Sequence, residues 1–211
     1  MGRMFIAGDA AHIHSPFGGQ GMNTGLQDVW NLVWKLDLAV RGRGSELLLN
    51  SYTAERRPVI KRVIETTDFL TKVMGTPQKF AQILRDTVIP VVSRLAPFQR
   101  AFVRRLSQIG VAYRGSPIVE GDGERYFDDS MRGGQGIGAR FLIVIGDDTD
   151  SSTTAAMRQL LGSFNDVVEV RRLKQRGLKL VRPDGYVAYA TNGRGAGALA
   201  SMRSVLELQT N

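Results

Sequence analysis

Between Gly8 and Gly25 the chain carries five glycines and Pro16, a composition that no helix or strand interior tolerates. The segments on either side must therefore be separate elements joined by a loop. Upstream, Arg3 to Ala7 is a short apolar run that reads as a buried strand. Downstream, from Thr24, the residues Leu26, Val29, Trp30, Val33, Trp34, Leu36 and Val40 recur three and four apart, which predicts a helix. Arg41-Gly42-Arg43-Gly44 closes it, because basic residues and a glycine suit a helix C-terminus. A strand that delivers Asp9 at its edge, then a glycine loop, then a helix N-terminus is a layout suited to a ligand. Glycines let the backbone approach a flat or phosphorylated molecule. The first helical turn offers unpaired amides and roughly half a positive charge, which favours an anion or developing negative charge.

The rest of the first half reads as helical. Ser45 is placed to cap a second helix, with Leu48, Leu49 and Tyr52 on its buried face. Pro58 is expected to end or kink it near Arg57, with periodicity resuming from Val59 to Val73. Two more helices are predicted between Pro77 and Ile109, broken at Pro90 and Pro97. Tyr113 to Gly138 holds seven glycines and Pro117, so a linker is expected over 113–138, between a first domain at 1–112 and a second at 139–211. In the second domain Arg140 to Gly146 is a predicted strand, Thr153 to Gly162 a helix and Val167 to Arg171 a strand. Leu178 to Val181 and Tyr186 to Tyr189 form a predicted hairpin around Pro183-Asp184-Gly185, and Gly197 to Leu208 a last helix. This β-α-β-β-β-α order is a thioredoxin-like arrangement.

Charge and composition narrow the function classes. The 211 residues carry a net charge of +8, all of it on residues 1–115, where 16 Lys and Arg face 8 Asp and Glu. Such a surface suits nucleic acid, a phosphorylated ligand or an acidic protein face, but no nucleic-acid motif accompanies it. There are no cysteines, which excludes disulfides, thiolate metal sites and thiol redox exchange. His12 and His14 form a His-x-His pair, but no second ligand cluster joins them, so no metal is expected. No apolar run approaches the roughly 20 residues that span a bilayer, and no signal region opens the chain, so a cytoplasmic location is expected. Trp30 and Trp34 read as core, and Arg171, Arg172, Lys174 and Arg176 as an exposed strand end.

The block Gly8-Asp9-Ala10-Ala11-His12, with Pro16 and Gly19-Gln20-Gly21-Met22-Asn23, resembles the second FAD-binding motif of the class A flavoprotein monooxygenases, the phenol, phenylpropionate and polyketide hydroxylases. Asn31-Leu32, Trp34-Lys35-Leu36, Tyr52 and Glu55-Arg56-Arg57-Pro58 continue the pattern. Leu180-Val181-Arg182-Pro183-Asp184-Gly185-Tyr186 resembles the thioredoxin-like tail domain of that group. The resemblance implies an α/β (α+β) fold: part of an FAD-binding domain with a helical region, then a thioredoxin-like domain lacking cysteines. It implies that Asp9 bonds the FAD ribityl chain and that Pro16 lies beside the isoalloxazine. It further implies that amides around Gly19, Gly21, Met22 and Asn23 meet the flavin pyrimidine edge, where reduced flavin carries negative charge. The parent enzyme would use NAD(P)H and O2 to hydroxylate a small aromatic substrate through a flavin hydroperoxide.

The chain also departs from that family. Nothing before Arg3 supplies the Gly-x-Gly-x-x-Gly turn for the ADP half of FAD. The run Gly133-Gly134-Gln135-Gly136-Ile137-Gly138 follows a loop and lies in the wrong half. The chain is therefore expected to be a partial enzyme, inactive alone, with no catalytic residue assigned. The alternative is a non-catalytic interaction or oligomerisation module with a vestigial flavin motif. Apolar surface within 1–110 is expected to lie exposed and to favour a homo-oligomer.

Overall fold

The structure, a computed structural model, describes residues 4–13, 19–75, 79–126, 139–147, 151–193 and 195–211. The fold is mixed α/β. Among the described residues six helices and one four-stranded sheet occur: α1 Gly21–Val40, α2 Glu46–Gly75, α3 Lys79–Val92, α4 Ala96–Leu106, β1 Phe141–Gly146, α5 Ser151–Phe164, β2 Val168–Leu173, β3 Leu178–Val181, β4 Val187–Thr191 and α6 Ala196–Gln209. The chain packs as two compact units, Met1–Val29 with Arg56–Val111, and Trp30–Glu55 with Ala112–Asn211.

In the first unit, 4–7 form no ladder, so the strand expected from Arg3 to Ala7 is not formed there, and Arg3 lies outside the described residues. An apolar run becomes a strand only beside a partner, and the first unit contains no other strand among its described residues. Gly8–Ala10 forms a 3-10 turn instead, with Ala11 and His12 donating their amides to the Gly8 carbonyl. Helix α1 starts at Gly21, three residues before the expected Thr24. The Gly8 to Gly25 stretch is thus partly helical, since a glycine in the first turn loses little.

Helix α2 passes through Pro58 without a break. Proline removes the amide that would bond the Ala54 carbonyl, but Ala54 and Pro58 are both exposed, so water can take that carbonyl. Pro90 likewise sits inside the last turn of α3, and Pro97 in the first turn of α4, where no amide is needed. Two sequence signals at helix ends act as expected. Ser45 Oγ accepts the Leu48 amide at 3.0 Å and caps α2. Gly42, at φ 68°, ends α1: its amide donates to Ala39 and the Arg43 amide to Leu38, the paired bonds of a Schellman motif.

The face α1 buries is the opposite of the one its apolar periodicity suggests. Met22, Leu26, Val29, Trp30 and Val33 are exposed, while Thr24, Asp28, Asn31 and Lys35 are buried with Leu32, Trp34 and Leu38. Trp34 is core as expected, packed edge-on to Phe141 with ring centroids 5.7 Å apart. Trp30 is 60% exposed, and its indole nitrogen donates to the Asp184 carbonyl.

In the second unit the sheet order is β2-β1-β3-β4, with β1 parallel to β2 and antiparallel to β3, and β3 antiparallel to β4. All six residues of β1 are buried, as a continuous apolar run requires when both faces of a strand are covered. Phe141, Ile143 and Ile145 pack with Met157, Leu160 and Phe164 of α5 and Leu199, Met202 and Leu206 of α6. Leu142, Val144 and Val181 form a smaller cluster with Tyr126 and Leu173. The hairpin expected around Pro183-Asp184-Gly185 is present, with Gly185 at φ 81° and its amide bonded to the Arg182 carbonyl. Within the predicted linker, Tyr113, Ser116 and Ile118 are buried, and the remaining 127–138, including the glycine run, lie outside the described residues. No helix among the described residues is long and apolar enough to cross a membrane.

Candidate functional site

Asp28 anchors the first unit. Its carboxylate is fully buried and takes three donors from two segments, the 3-10 turn and α2. Oδ2 accepts the Gly8 amide at 3.1 Å and His12 Nε2 at 2.7 Å, and Oδ1 accepts Arg56 Nε at 2.7 Å. Arg56 also donates to the Thr24 carbonyl. Thr24 Oγ1 in turn donates to the Gln20 carbonyl and accepts Gln108 Nε2 at 2.6 Å. The ion pair between buried Asp28 and buried Arg56 keeps either charge from standing alone in a dry site.

Gly8 and Gly25 meet backbone to backbone. A Cβ on Gly25 would lie 3.2 Å from the Gly8 Cα, and Gly8 itself sits at φ 62°, so side chains are disfavoured on both sides of the contact. The 3-10 turn is thereby held against the first two turns of α1.

Of the residues expected to meet a ligand, the structure describes Asp9, Gly19, Gly21, Met22 and Asn23. Asp9 occupies the middle of the 3-10 turn with its side chain exposed. Gly19 is exposed at φ 59°. The first helical bond of α1 runs from the Thr24 amide to the Gln20 carbonyl at 2.9 Å. Gly21, Met22 and Asn23 therefore form the first turn, whose amides have no acceptor within the helix. Pro16 and His14 lie outside the described residues. His12 is buried against Asp28. Among the described residues no group of three or more His, Cys, Asp or Glu is arranged to hold a metal ion.

A second buried polar network lies in the second unit and gathers Asn31, Lys35, Glu55, Arg182 and Asp184 from the remaining motifs. Arg182 donates to both oxygens of Glu55 and to both oxygens of Asp184. Lys35 Nζ donates to Glu55 and to Ser51 Oγ, each at 2.8 Å. Asn31 donates to Glu55 at 2.7 Å, and Ser116 Oγ to its other oxygen at 2.6 Å. The Arg182 guanidinium also lies over the rings of Trp34, Tyr113 and Tyr186 at 5.0 to 5.8 Å. Burial alone would raise the Glu55 carboxyl, but Arg182 and Lys35 outweigh it and hold the group well below the ordinary carboxylate range. Burial pushes the Lys35 ammonium down to about 8, against the opposing pull of Glu55. For Arg182 burial is likewise opposed, and Asp184 with Glu55 keeps the guanidinium charged. This network has no exposed member among these four ions, and its chemistry is that of a structural tie.

Sequence reasoning assigned no role to Asp28, Thr24, Lys35 or Arg182. One signal was available. Thr24, Asp28, Asn31 and Lys35 are themselves spaced four, three and four apart, so the helix carries a polar stripe as regular as its apolar one.

Residues 1–67 match the family model described as FAD binding domain. The cofactor that the comparisons support for this chain is FAD. The related proteins are aromatic and polyketide monooxygenases. The chain is 40% identical over 127 residues to 6-methylpretetramide 4-monooxygenase of Streptomyces rimosus, covering 58% of this chain and 23% of that protein. It is 34% identical over 191 residues to rifampicin monooxygenase of Streptomyces venezuelae, covering 89% of this chain and 39% of that one. Among solved structures it resembles BexE, described for oxidation during BE-7585A biosynthesis, with TM-score 0.72 and 29% identity over 94% of this chain and 44% of the other. The chain thus spans less than half the length of these relatives.

Proposed function

We propose that this chain supplies the flavin-edge segment of an FAD-dependent monooxygenase acting on an aromatic substrate, with NAD(P)H as reductant. In this reading Asp9 bonds the ribityl chain, Pro16 lies beside the ring system, and Gly19, Gly21, Met22 and Asn23 turn backbone amides to the pyrimidine edge. The carrying observation is the first turn of α1: its three amides have no helical acceptor, and the turn that bears the exposed Asp9 is fixed to the same helix through Gly8. Those donors suit the negative charge of reduced flavin, and Gly19 and Gly21 leave room for a flat ring. When bound, FAD supplies the redox and oxygen chemistry, and the chain's part is to position it and to stabilise its charge.

The 139–211 region is proposed as a thioredoxin-like domain, supported by its strand order β2-β1-β3-β4 with the last two strands antiparallel. Without cysteine it carries no thiol exchange, and a structural role follows. Adding FAD to the purified chain tests the main reading. A shifted visible band and quenched flavin fluorescence are expected, and an unperturbed flavin spectrum would count against direct contact.

A second reading, a non-catalytic interaction module that self-associates, draws support from the exposed stripe Met22, Leu26, Val29, Trp30 and Val33 on one face of α1. Size-exclusion mass with FAD present and absent separates the two. A stable oligomer with no flavin affinity favours the module.

A further inference from the structure

We infer that Asp28 is the positioning residue of the flavin-contacting segment: its carboxylate fixes the Asp9 turn against the N-terminus of α1. The inference rests on the flavin reading above and adds the group that sets the geometry.

Asp9 and the amides of Gly21 to Asn23 belong to different local structures, a 3-10 turn and a helix start. The described backbone bonds of the turn are internal to it, from Ala11 and His12 back to Gly8, and cannot by themselves set its distance from the helix. The Asp28 carboxylate makes that connection. It receives the amide of Gly8, the residue next to Asp9, and the ring of His12 just beyond the turn, so both ends of the turn hang on one oxygen. The other oxygen is held by Arg56 Nε, which stops the carboxylate from rotating, and Arg56 also grips the Thr24 carbonyl one turn up the same helix. A buried, charge-assisted three-donor arrangement of this kind has one low-energy geometry. Asp28 lies on the inner face of α1 and Asp9 has an exposed side chain, so Asp28 acts through the turn and does not meet the ligand itself.

The test uses the full chain, with Asp28→Asn, which keeps the shape but removes the charge, and Asp28→Asn/Arg56→Met, which removes both charges so that neither stands buried alone. Amide hydrogen exchange and the FAD dissociation constant are read together. Exchange at Gly8 is expected to speed up about ten-fold or more while the Arg182 amide of the β3–β4 hairpin keeps its rate, and the FAD dissociation constant should rise about ten-fold. Acceleration of all amides alike would show a merely structural role and overturn the inference, as would unchanged exchange at Gly8 in a folded variant. A wild-type chain that leaves FAD unperturbed sinks the flavin reading. A wild type that binds FAD, with variants that bind it equally well, overturns the positioning role alone.

Discussion

Glu55 and Arg182 lie 127 residues apart in sequence and form a two-point ion pair, each guanidinium Nη atom donating to one carboxylate oxygen. Lys35, Asn31 and Ser116 complete the shell of Glu55, and Asp184 takes the other side of Arg182. Lys35, Glu55, Arg182 and Asp184 together carry no net charge, and every partner is buried. Helices α1 and α2 and the β3–β4 turn are thereby tied within the second unit.

Glu55→Gln removes a carboxylate that is ion-paired with both Lys35 and Arg182. Breaking a buried pair from one side costs about 3–5 kcal/mol, so a large drop in stability to urea is expected. Glu65→Gln, which removes the partner of Lys61 in an exposed pair at 3.9 Å, should change stability by less than about 1 kcal/mol.

Acid should find the same weak point. The folded-state carboxyl of Glu55 is held below its ordinary value of 4.5, so its stabilising contribution is present above pH 4.5 and is lost as pH falls further. Stability measured from pH 6 down to pH 3 should fall more steeply in the wild type than in Glu55→Gln, and parallel curves would refute this.

Lys35 gives a slope of the same sign at alkaline pH. It loses its proton near 8 in the folded chain, against 10.5 for an ordinary lysine. Between those values the unfolded chain binds more protons, so this group's contribution to stability rises with pH by up to about 1 kcal/mol per pH unit. Chemical denaturation at pH 7.5 and 9.5 should show the stability of Lys35→Met falling relative to wild type as pH increases.

Gly25→Ala places a Cβ 3.2 Å from the Gly8 Cα, and the 3-10 turn must give way. A cost of about 1–3 kcal/mol is expected, with faster amide exchange at Ala11 and His12. Unchanged exchange there would mean that the close approach does not constrain the turn.

Gly42→Ala puts a side chain at φ 68°, in the left-handed region, where the methyl costs roughly 1–2 kcal/mol. Thermal melting should shift down by several degrees while the second-unit strands keep their circular-dichroism signature.

Much of the second half was legible in advance. Phe141 to Gly146 is a strand because six consecutive apolar residues suit a position covered on both faces, and Gly185 marks its turn because only a left-handed residue completes it. Ser45 and Gly42 marked helix boundaries through side-chain and backbone chemistry that acts within a few residues. The prolines misled for a local reason of the opposite kind: the break expected at Pro58 depends on whether the freed carbonyl is dry or wet, and exposure is not a property of the neighbouring sequence.

The sequence by itself determined the order of the elements from β1 to α6, the caps, and the glycine-rich turn with Asp9 and the helix start that resemble a flavin site, because each depends on contacts within a turn or two of chain. Only the tertiary structure decided that α1 turns its polar stripe inward, that Asp28 takes up Gly8, His12 and Arg56, and that Glu55 finds Arg182. Those choices are made by which charges can be paired out of water. A charge buried in a helix face is tolerable only when a partner from a distant part of the chain arrives beside it.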